Sequence, residues 1–558
     1  MLQFSIGVSA LQASQRALEV AGNNIANANT PGYHRQVVQL SSATPLRLDK
    51  LSIGRGVEVT GIQRIVNDNI ELSQVRQSAA TGASDSQLTV ATQLESRLSN
   101  EKASAGARLE TLFNRLEQLS SQLNSSSSRK LVVASADQLA REFNSVAADL
   151  LRQRDDVDQS INAVVAEINP LTKAIAQLNA EIARQITAGS PPNDLLDQRS
   201  QLIQQLGQRI SIEVLEGNQG QVTVLSDGVP LVISGRSLSL EVVRDETDHV
   251  LIQPKGTDAS LTTTGGQLGG YLAARRETVP RYLSRMDDLA RAVARAFNSV
   301  QTTGVGVAGA FTNLTSQQPV RDVNQKLNAA GLPSPPIAGS LTVAVTDIAT
   351  GQRTLTTINV DPVQQSLSDV ANALGTIPNL QVFVNSQGGT LSVMSASGFT
   401  FDFRGDGETP SDTSGVLSAL GFNAFFTGGD AATLKVSDDL LGNADRLATS
   451  RNGQTGDSSN LQRLVALRDA PLMPNQSTLS NDFLQTVADI GSDVQGLTEQ
   501  RETNQLLFDR LEEQRQSLSG VDPNEEMVNL LKYQRMFQIA SKYINVLNDA
   551  YGELLEIR

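Results

Sequence analysis

The chain opens and closes on the same pattern, and that pattern restricts what it can fold into. Near the start, Phe4, Leu11, Leu18 and Ile25 recur every seven residues, and three places after each stands a small residue: Gly7, Ser14, Ala21 and Ala28. Near the end, Leu530, Phe537, Ile544 and Tyr551 repeat in the same way, with Tyr533, Ala540, Leu547 and Leu554 three places on. A sustained heptad holds one apolar stripe toward a partner helix, because it keeps the winding near about 3.5 residues per turn. Two ordinary amphipathic helices on a globular core would also carry apolar stripes. Small residues along the first stripe permit close backbone approach, however, so the two termini are expected to pair as a coiled coil in a chain built to assemble.

Length and composition remove several functions. With 558 residues the chain exceeds the roughly 250–300 at which one core stops growing, so about three or four domains are expected. The formal charge of −14 argues against a nucleic-acid partner, which calls for a basic patch. Cysteine is absent, which leaves no disulfide, thiolate nucleophile or cysteine-bound metal. Only His34 and His249 are available to a histidine cluster or triad. His34 falls in a turn-like segment and His249 between expected strands, so each reads as packed or solvated rather than catalytic. No catalytic, cofactor or metal site is therefore expected. The first charge is Arg16 and polar residues interrupt the apolar ones before it, unlike a cleaved signal peptide; no apolar run is long enough to span a membrane.

Periodicity divides the rest. Asn29-Thr30-Pro31-Gly32-Tyr33 breaks the first helix, and a strand is expected at Gly54-Arg55-Gly56-Val57-Glu58-Val59. From about 66 to 208 the apolar spacing is helical, and Pro170 is expected to kink or divide a long helix; Ser190-Pro191-Pro192-Asn193 should end one helix and cap the next. Residues 210–253 switch to strand alternation, a second long helix is expected over about 268–303, and 340–404 alternate again around a helix at 366–374. A helical return over 480–519 precedes Asp522-Pro523 and the final helix. The fold class is α+β and multidomain: a terminal coiled-coil domain of 1–48 with 520–558, a mainly helical middle domain of 49–310 with 431–519 that includes the β region 210–253, and a mostly β outer domain of 311–430.

Two motifs fail their context. Gly304-Val305-Gly306-Val307-Ala308-Gly309 has dinucleotide-loop glycines but comes after a helix, not a strand, so it reads as a loop. Asp402, Asp406, Glu408 and Asp412 lack the spacing and central glycine of a calcium loop and read as a solvated turn.

One stretch is more specific. Residues 21–33, Ala-Gly-Asn-Asn-Ile-Ala-Asn-Ala-Asn-Thr-Pro-Gly-Tyr, resemble nearly residue for residue the N-terminal signature of the bacterial flagellar rod, hook and hook-associated proteins. Residues 54–64 are similar to the segment next to that signature in the hook-associated group, and Asn193-Asp194-Leu195-Leu196-Asp197-Gln198-Arg199 resembles a motif of one of its members. Residues 524–534 resemble the family's C-terminal signature, with Met527 and Val528 where alanines are common. The long helices of 66–208 argue against the hook protein itself, and the 193–199 motif against hook-associated protein 3. The resemblance implies a non-enzymatic structural part of the flagellum, a ring of copies linking hook to filament. It implies export through the flagellar type III channel without a cleaved signal to an extracellular position, with hook protein, hook-associated protein 3 and an export chaperone on the C-terminal helix as partners. Asn23, Asn24 and Asn27 then join Phe4, Leu11, Leu18, Ile25, Leu530, Tyr533, Phe537, Ile544, Leu547, Tyr551 and Leu554 as the expected assembly interface. A secreted adhesin binding through 340–430 is the alternative from another class.

Overall fold

Helices dominate because the apolar period is near 3.6 over most of the chain. The computed structural model describes residues 2–48, 51–99, 104–190, 192–405, 410–454 and 456–556. The long helices are Leu2–Asn27, Asp68–Leu98, Ala105–Ser120, Ser126–Thr187, Asn193–Arg209, Val279–Gln301, Leu479–Ser519 and Pro523–Glu556. Small antiparallel sheets fill the intervals. The chain separates into two compact units, one of residues 1–90, 157–276 and 495–558, the other of 91–156 and 277–494. The fold is α+β and multidomain.

In the first unit, strand Gln36–Ser42 pairs with Val57–Arg64 as a two-stranded ribbon. A four-stranded sheet, Glu213–Glu216, Val222–Ser226, Val229–Ile233 and Arg236–Ser237 in that order, lies near a separate hairpin of Leu240–Arg244 and Val250–Pro254. A buried amide docks the sheet on the long helix: Asn179 Nδ2 donates to the carbonyls of Val222 and Ser234, both at 2.8 Å, and its Oδ1 accepts from the Val222 amide.

Pro170 does not divide the helix. Ser126–Thr187 is assigned as one helix through it. A proline inside a helix costs about 3 kcal/mol, but Ile161, Ile168, Ile175 and Ile182 on its flanks are fully buried, and burial of each is worth about 1.5–3 kcal/mol. Asn169 also clamps the turn, donating to the Leu240 carbonyl at 3.0 Å and accepting from its amide at 2.7 Å. The segment 190–193 does separate two helices, but no side chain caps the second, whose cap position is Pro192. Asn193 is the first helical residue and its side chain donates instead to the Ile62 carbonyl; Pro191 lies outside the described residues.

The second unit holds two apolar centres. Phe297 sits among Phe113, Phe425 and Phe426, with ring centroids 5.7, 5.1 and 5.6 Å away. A separate core is drawn wholly from residues 311–422. There Gly339–Asp347 is the central strand between Arg353–Val360 and Phe399–Asp402, beside a second sheet of Asn313–Thr315, Thr390–Ser395 and Leu380–Asn385. The expected helix among these strands spans Leu367–Gly375, started by a capping box of Ser366 and Asp369.

Because Phe297 is fully buried and Phe383 is 54% exposed, the same truncation should separate them. Phe297→Ala is expected to lower stability by about 3–5 kcal/mol through a cavity, and Phe383→Ala by no more than about 0.5 kcal/mol. Urea unfolding of the full chain monitored by circular dichroism measures both; equal losses would contradict the burial.

Candidate assembly site at the paired termini

The first and last helices pack antiparallel. The Phe4 and Tyr551 rings meet at one end with centroids 5.7 Å apart. One helical turn on, a Cβ placed on Gly7 would stand 2.7 Å from Ile544 Cγ1. At the far end Asn24 Nδ2 donates to Glu526 Oε2 at 3.2 Å. The seam is the heptad stripe of each helix: Gly7, Ser14, Ala21 and Ala540 are buried, while Phe4, Leu11, Leu18, Ile25, Leu530, Tyr533, Phe537, Ile544 and Leu547 are half-buried. Small residues on one side let the larger ones opposite seat against the backbone, which is the geometry the glycine at position 7 requires. Leu554 lies within the final helix, and its side chain is outside the described residues.

A second stripe on the first helix escaped the heptad reading. Ala13, Ala17, Val20 and Asn24 are buried on a different face, which turns toward the Gln36–Ser42 and Val57–Arg64 ribbon. The Val57 amide donates to Ser9 Oγ at 3.3 Å. Gly56, at φ +95°, comes so near that a Cβ there would collide with Ser9 Oγ. The four-residue spacing of Ala13 and Ala17 carried the signal, but alanines at that spacing are too common to single out.

The asparagines of the signature divide by role. Asn24 is 1% exposed and bonds within the chain: its amide nitrogen donates to the Gln36 carbonyl at 2.9 Å, and its oxygen accepts from the Gln36 amide at 3.0 Å and the Tyr33 hydroxyl at 2.9 Å. Burial, with Asp194, Asp197 and Glu526 nearby, pushes the Tyr33 phenol well above its ordinary range and keeps it a donor. Asn23 is exposed, and Asn27 Nδ2 donates to its Oδ1 at 2.8 Å.

The loop after the signature is tied on both sides. Arg35 Nε donates to Glu526 Oε1 at 2.8 Å and its Nη1 to Glu525 Oε2 at 3.1 Å. His34, read from sequence as packed or solvated, is packed at 1% exposure between two carboxylates: Nδ1 lies 2.7 Å from Asp197 Oδ1 and Nε2 3.2 Å from Glu71 Oε1. Asp197 also accepts from Arg64 Nη1 at 2.7 Å. The 193–199 motif is thus a weld: Asn193 holds the ribbon, Asp194 accepts from Gln36 Nε2, Asp197 holds His34, and Arg199 donates to Asn179 and to the Gly220 carbonyl. Burial, and after it Arg64, lowers the Arg199 pKa to about 10, still charged at neutral pH.

The remaining motifs are structural. Asp402 is fully buried between Arg353 and Arg404, and Asp412 accepts from the amides of Ser414, Gly415 and Leu417, so these two are not a solvated turn. A carboxylate at the end of a strand is shielded here by guanidinium and amide donors. Asp406 and Glu408 lie outside the described residues. The Gly304–Gly309 segment packs under the backbone of residues 445–447, with no room for a phosphate beside Gly306. Among the described residues there is no cluster of three or more metal-ligating side chains and no helix long and apolar enough to cross a membrane.

Comparison with known proteins agrees with this layout. Residues 4–34 match the family described as flagella basal body rod protein, 91–314 the flagellar hook-associated protein FlgK helical domain, and 513–557 the flagellar basal body rod FlgEFG protein C-terminal. The flagellar hook junction protein FlgK from Burkholderia pseudomallei shares the fold, with a TM-score of 0.53 at 17% identity over 81% of this chain and 100% of that one. Each of these matches is to the flagellar rod, hook and hook-associated protein family, and the chain is a structural component of the bacterial flagellum. Within that family it is similar end to end to flagellar hook-associated protein 1: 26% identical to that of Escherichia coli (strain K12) over 99% of this chain and 98% of the relative. It is also 28% identical to that of Bacillus subtilis (strain 168) over 54% of this chain and 67% of the relative.

Asn24→Asp tests the polar end of the seam. The new carboxylate would face Glu526 and lose the donor to Gln36, costing about 2–4 kcal/mol at neutral pH. One carboxylate of that pair must then titrate above its unfolded value, so the penalty holds above that folded pKa and is relieved as pH falls through it. Thermal midpoints of the variant and the wild type should therefore draw together as pH falls from neutral toward about 4, the unfolded carboxylate value; a gap independent of pH would refute the arrangement.

Proposed function

We propose that the chain is a subunit of the hook–filament junction, where a ring of its copies links hook to filament and permits filament assembly. The supporting observation is an apolar stripe left uncovered on the final helix. Met536, Ile539, Tyr543 and Val546 succeed one another at three- and four-residue spacing on a face beside the seam, and Ile539 and Val546 are 68% and 65% exposed. Val528 and Leu531 extend it toward the helix start. A row of this kind on an already paired helix marks contact with further subunits. Copies of the chain itself, hook protein and hook-associated protein 3 are the proposed neighbours, with an export chaperone covering the final helix beforehand. Non-catalytic action, extracellular placement and type III export without cleavage belong to the same reading. So does the division into an assembly domain of 1–48 with 520–558, a middle domain of 49–310 with 431–519 and an outer domain of 311–430.

Substitutions on the two stripes should behave differently. Leu18→Asp or Phe537→Asp charges a seam whose apolar members each gain about 1.5–3 kcal/mol on burial, so the helix pair and junction assembly both fail. Ile539→Asp should leave the purified monomer's melting unchanged while cells shed filament subunits into the medium. Immunogold label in wild-type cells is expected only where hook meets filament. Normal motility of Ile539→Asp cells, or label along the filament, would overturn the assignment.

A further inference from the structure

The imidazole of His34 has no neutral form that satisfies its surroundings. Both ring nitrogens face carboxylate oxygens, Asp197 at 2.7 Å and Glu71 at 3.2 Å, and an ionised carboxylate only accepts hydrogen bonds. A neutral ring carries one N–H and one lone pair, so one nitrogen would point its lone pair at a carboxylate. The ring itself is 1% exposed, so solvent reaches the contact only from the Glu71 side, whose side chain is 24% exposed. The doubly protonated ring satisfies both contacts.

The two carboxylates stand on different helices, Glu71 on Asp68–Leu98 and Asp197 on Asn193–Arg209. His34 itself lies in the loop that holds the termini. Arg35 beside it pairs with Glu525 and Glu526 at the start of the final helix, and its amide donates to the Ser519 carbonyl at 2.9 Å. Gln36 exchanges two hydrogen bonds with Asn24 of the first helix. We propose that His34 is a pH-sensitive latch that fastens the loop of residues 28–36, and through it the paired terminal helices, to these two helices, and that loss of its second proton releases the fastening to Glu71.

The charges around the ring favour that order of release. Asp197 keeps Arg64 Nη1 at 2.7 Å and the His34 backbone amide at 3.2 Å when the ring is neutral. Among the described residues, Glu71 has no comparable bond from the loop. Of the other charged groups, Asp194 shares the helix of Asp197, Glu526 lies on the final helix, and Arg515 and Glu512 lie on Leu479–Ser519, bonded to each other at 2.7 Å, with Arg515 acting on both Glu71 and Asp197. Burial alone would lower the His34 pKa; the hydrogen bonds to Asp197 and Glu71 outweigh it and raise the value above the ordinary 6.5. A raised folded pKa sets the direction: the latch contributes fully below the unfolded value of 6.5 and is lost as pH rises through the folded one.

Only two histidines occur, so the titration is directly observable. In the full chain carrying His249→Gln at its exposed histidine, selective ¹⁵N labelling leaves His34 as the single imidazole signal. Both ring nitrogens should be protonated at neutral pH, with a midpoint above 6.5 that Glu71→Gln moves down. Amide hydrogen exchange, corrected for its intrinsic pH dependence, should rise by up to about tenfold per pH unit between 6.5 and the midpoint at residues 28–36 and 523–530, and level off above it. In His34→Gln that exchange should not vary over the same interval. A singly protonated ring at neutral pH would overturn the proposal, as would a titration that leaves exchange at 28–36 unchanged. Should His34→Gln fail to fold, the Glu71→Gln titration and the wild-type exchange profile decide the matter alone.

Discussion

A single buried amide joins the two ends of the chain and the loop that follows the first helix. Asn24 satisfies the amide and carbonyl of Gln36, accepts from Tyr33 and donates to Glu526, so it couples the first helix, the loop after it and the start of the final helix in one set of hydrogen bonds. A side chain with both donors and acceptors is needed there. Any apolar residue would orphan two buried backbone groups, and a carboxylate would oppose Glu526.

From that point outward the two ends of the chain hold each other by shape. Gly7, Ser14 and Ala21 bury little area of their own and serve by admitting Ile544 and its neighbours close to the backbone. The first helix is covered on two faces, by the final helix and by the ribbon. The final helix is covered along one stripe only, which leaves its second apolar row to solvent in the isolated chain. That asymmetry is what the proposed subunit contact on the C-terminal helix rests on.

Polar welds recur away from the termini. Asn179 and Asn169 fasten strands to the long helix. In the second unit, Asn298 accepts from the amides of Phe425 and Phe426 and donates to the Phe426 carbonyl. Each supplies hydrogen bonds to strand or loop ends that no ladder reaches, and a buried unpaired backbone group is costly. A chain without cysteine positions its loops in this way.

Local spacing was enough to place the elements. Heptads located the pairing stripes, period changes located the helices and the strand regions, and the absence of cysteine and scarcity of histidine removed most catalytic chemistry, because these depend on neighbours a few residues away or on composition. Features that depend on partners far along the chain emerged only with the folded molecule. Asn24 faces inward because Gln36 and Glu526 meet it there. Of the two readings open for His34, packed or solvated, the packed one holds because Glu71 and Asp197 converge on it. Pro170 is carried inside a helix because buried isoleucines and the Asn169 clamp outweigh its missing donor. In each case the energy comes from groups separated by tens to hundreds of residues, and local periodicity holds no record of which of them will meet.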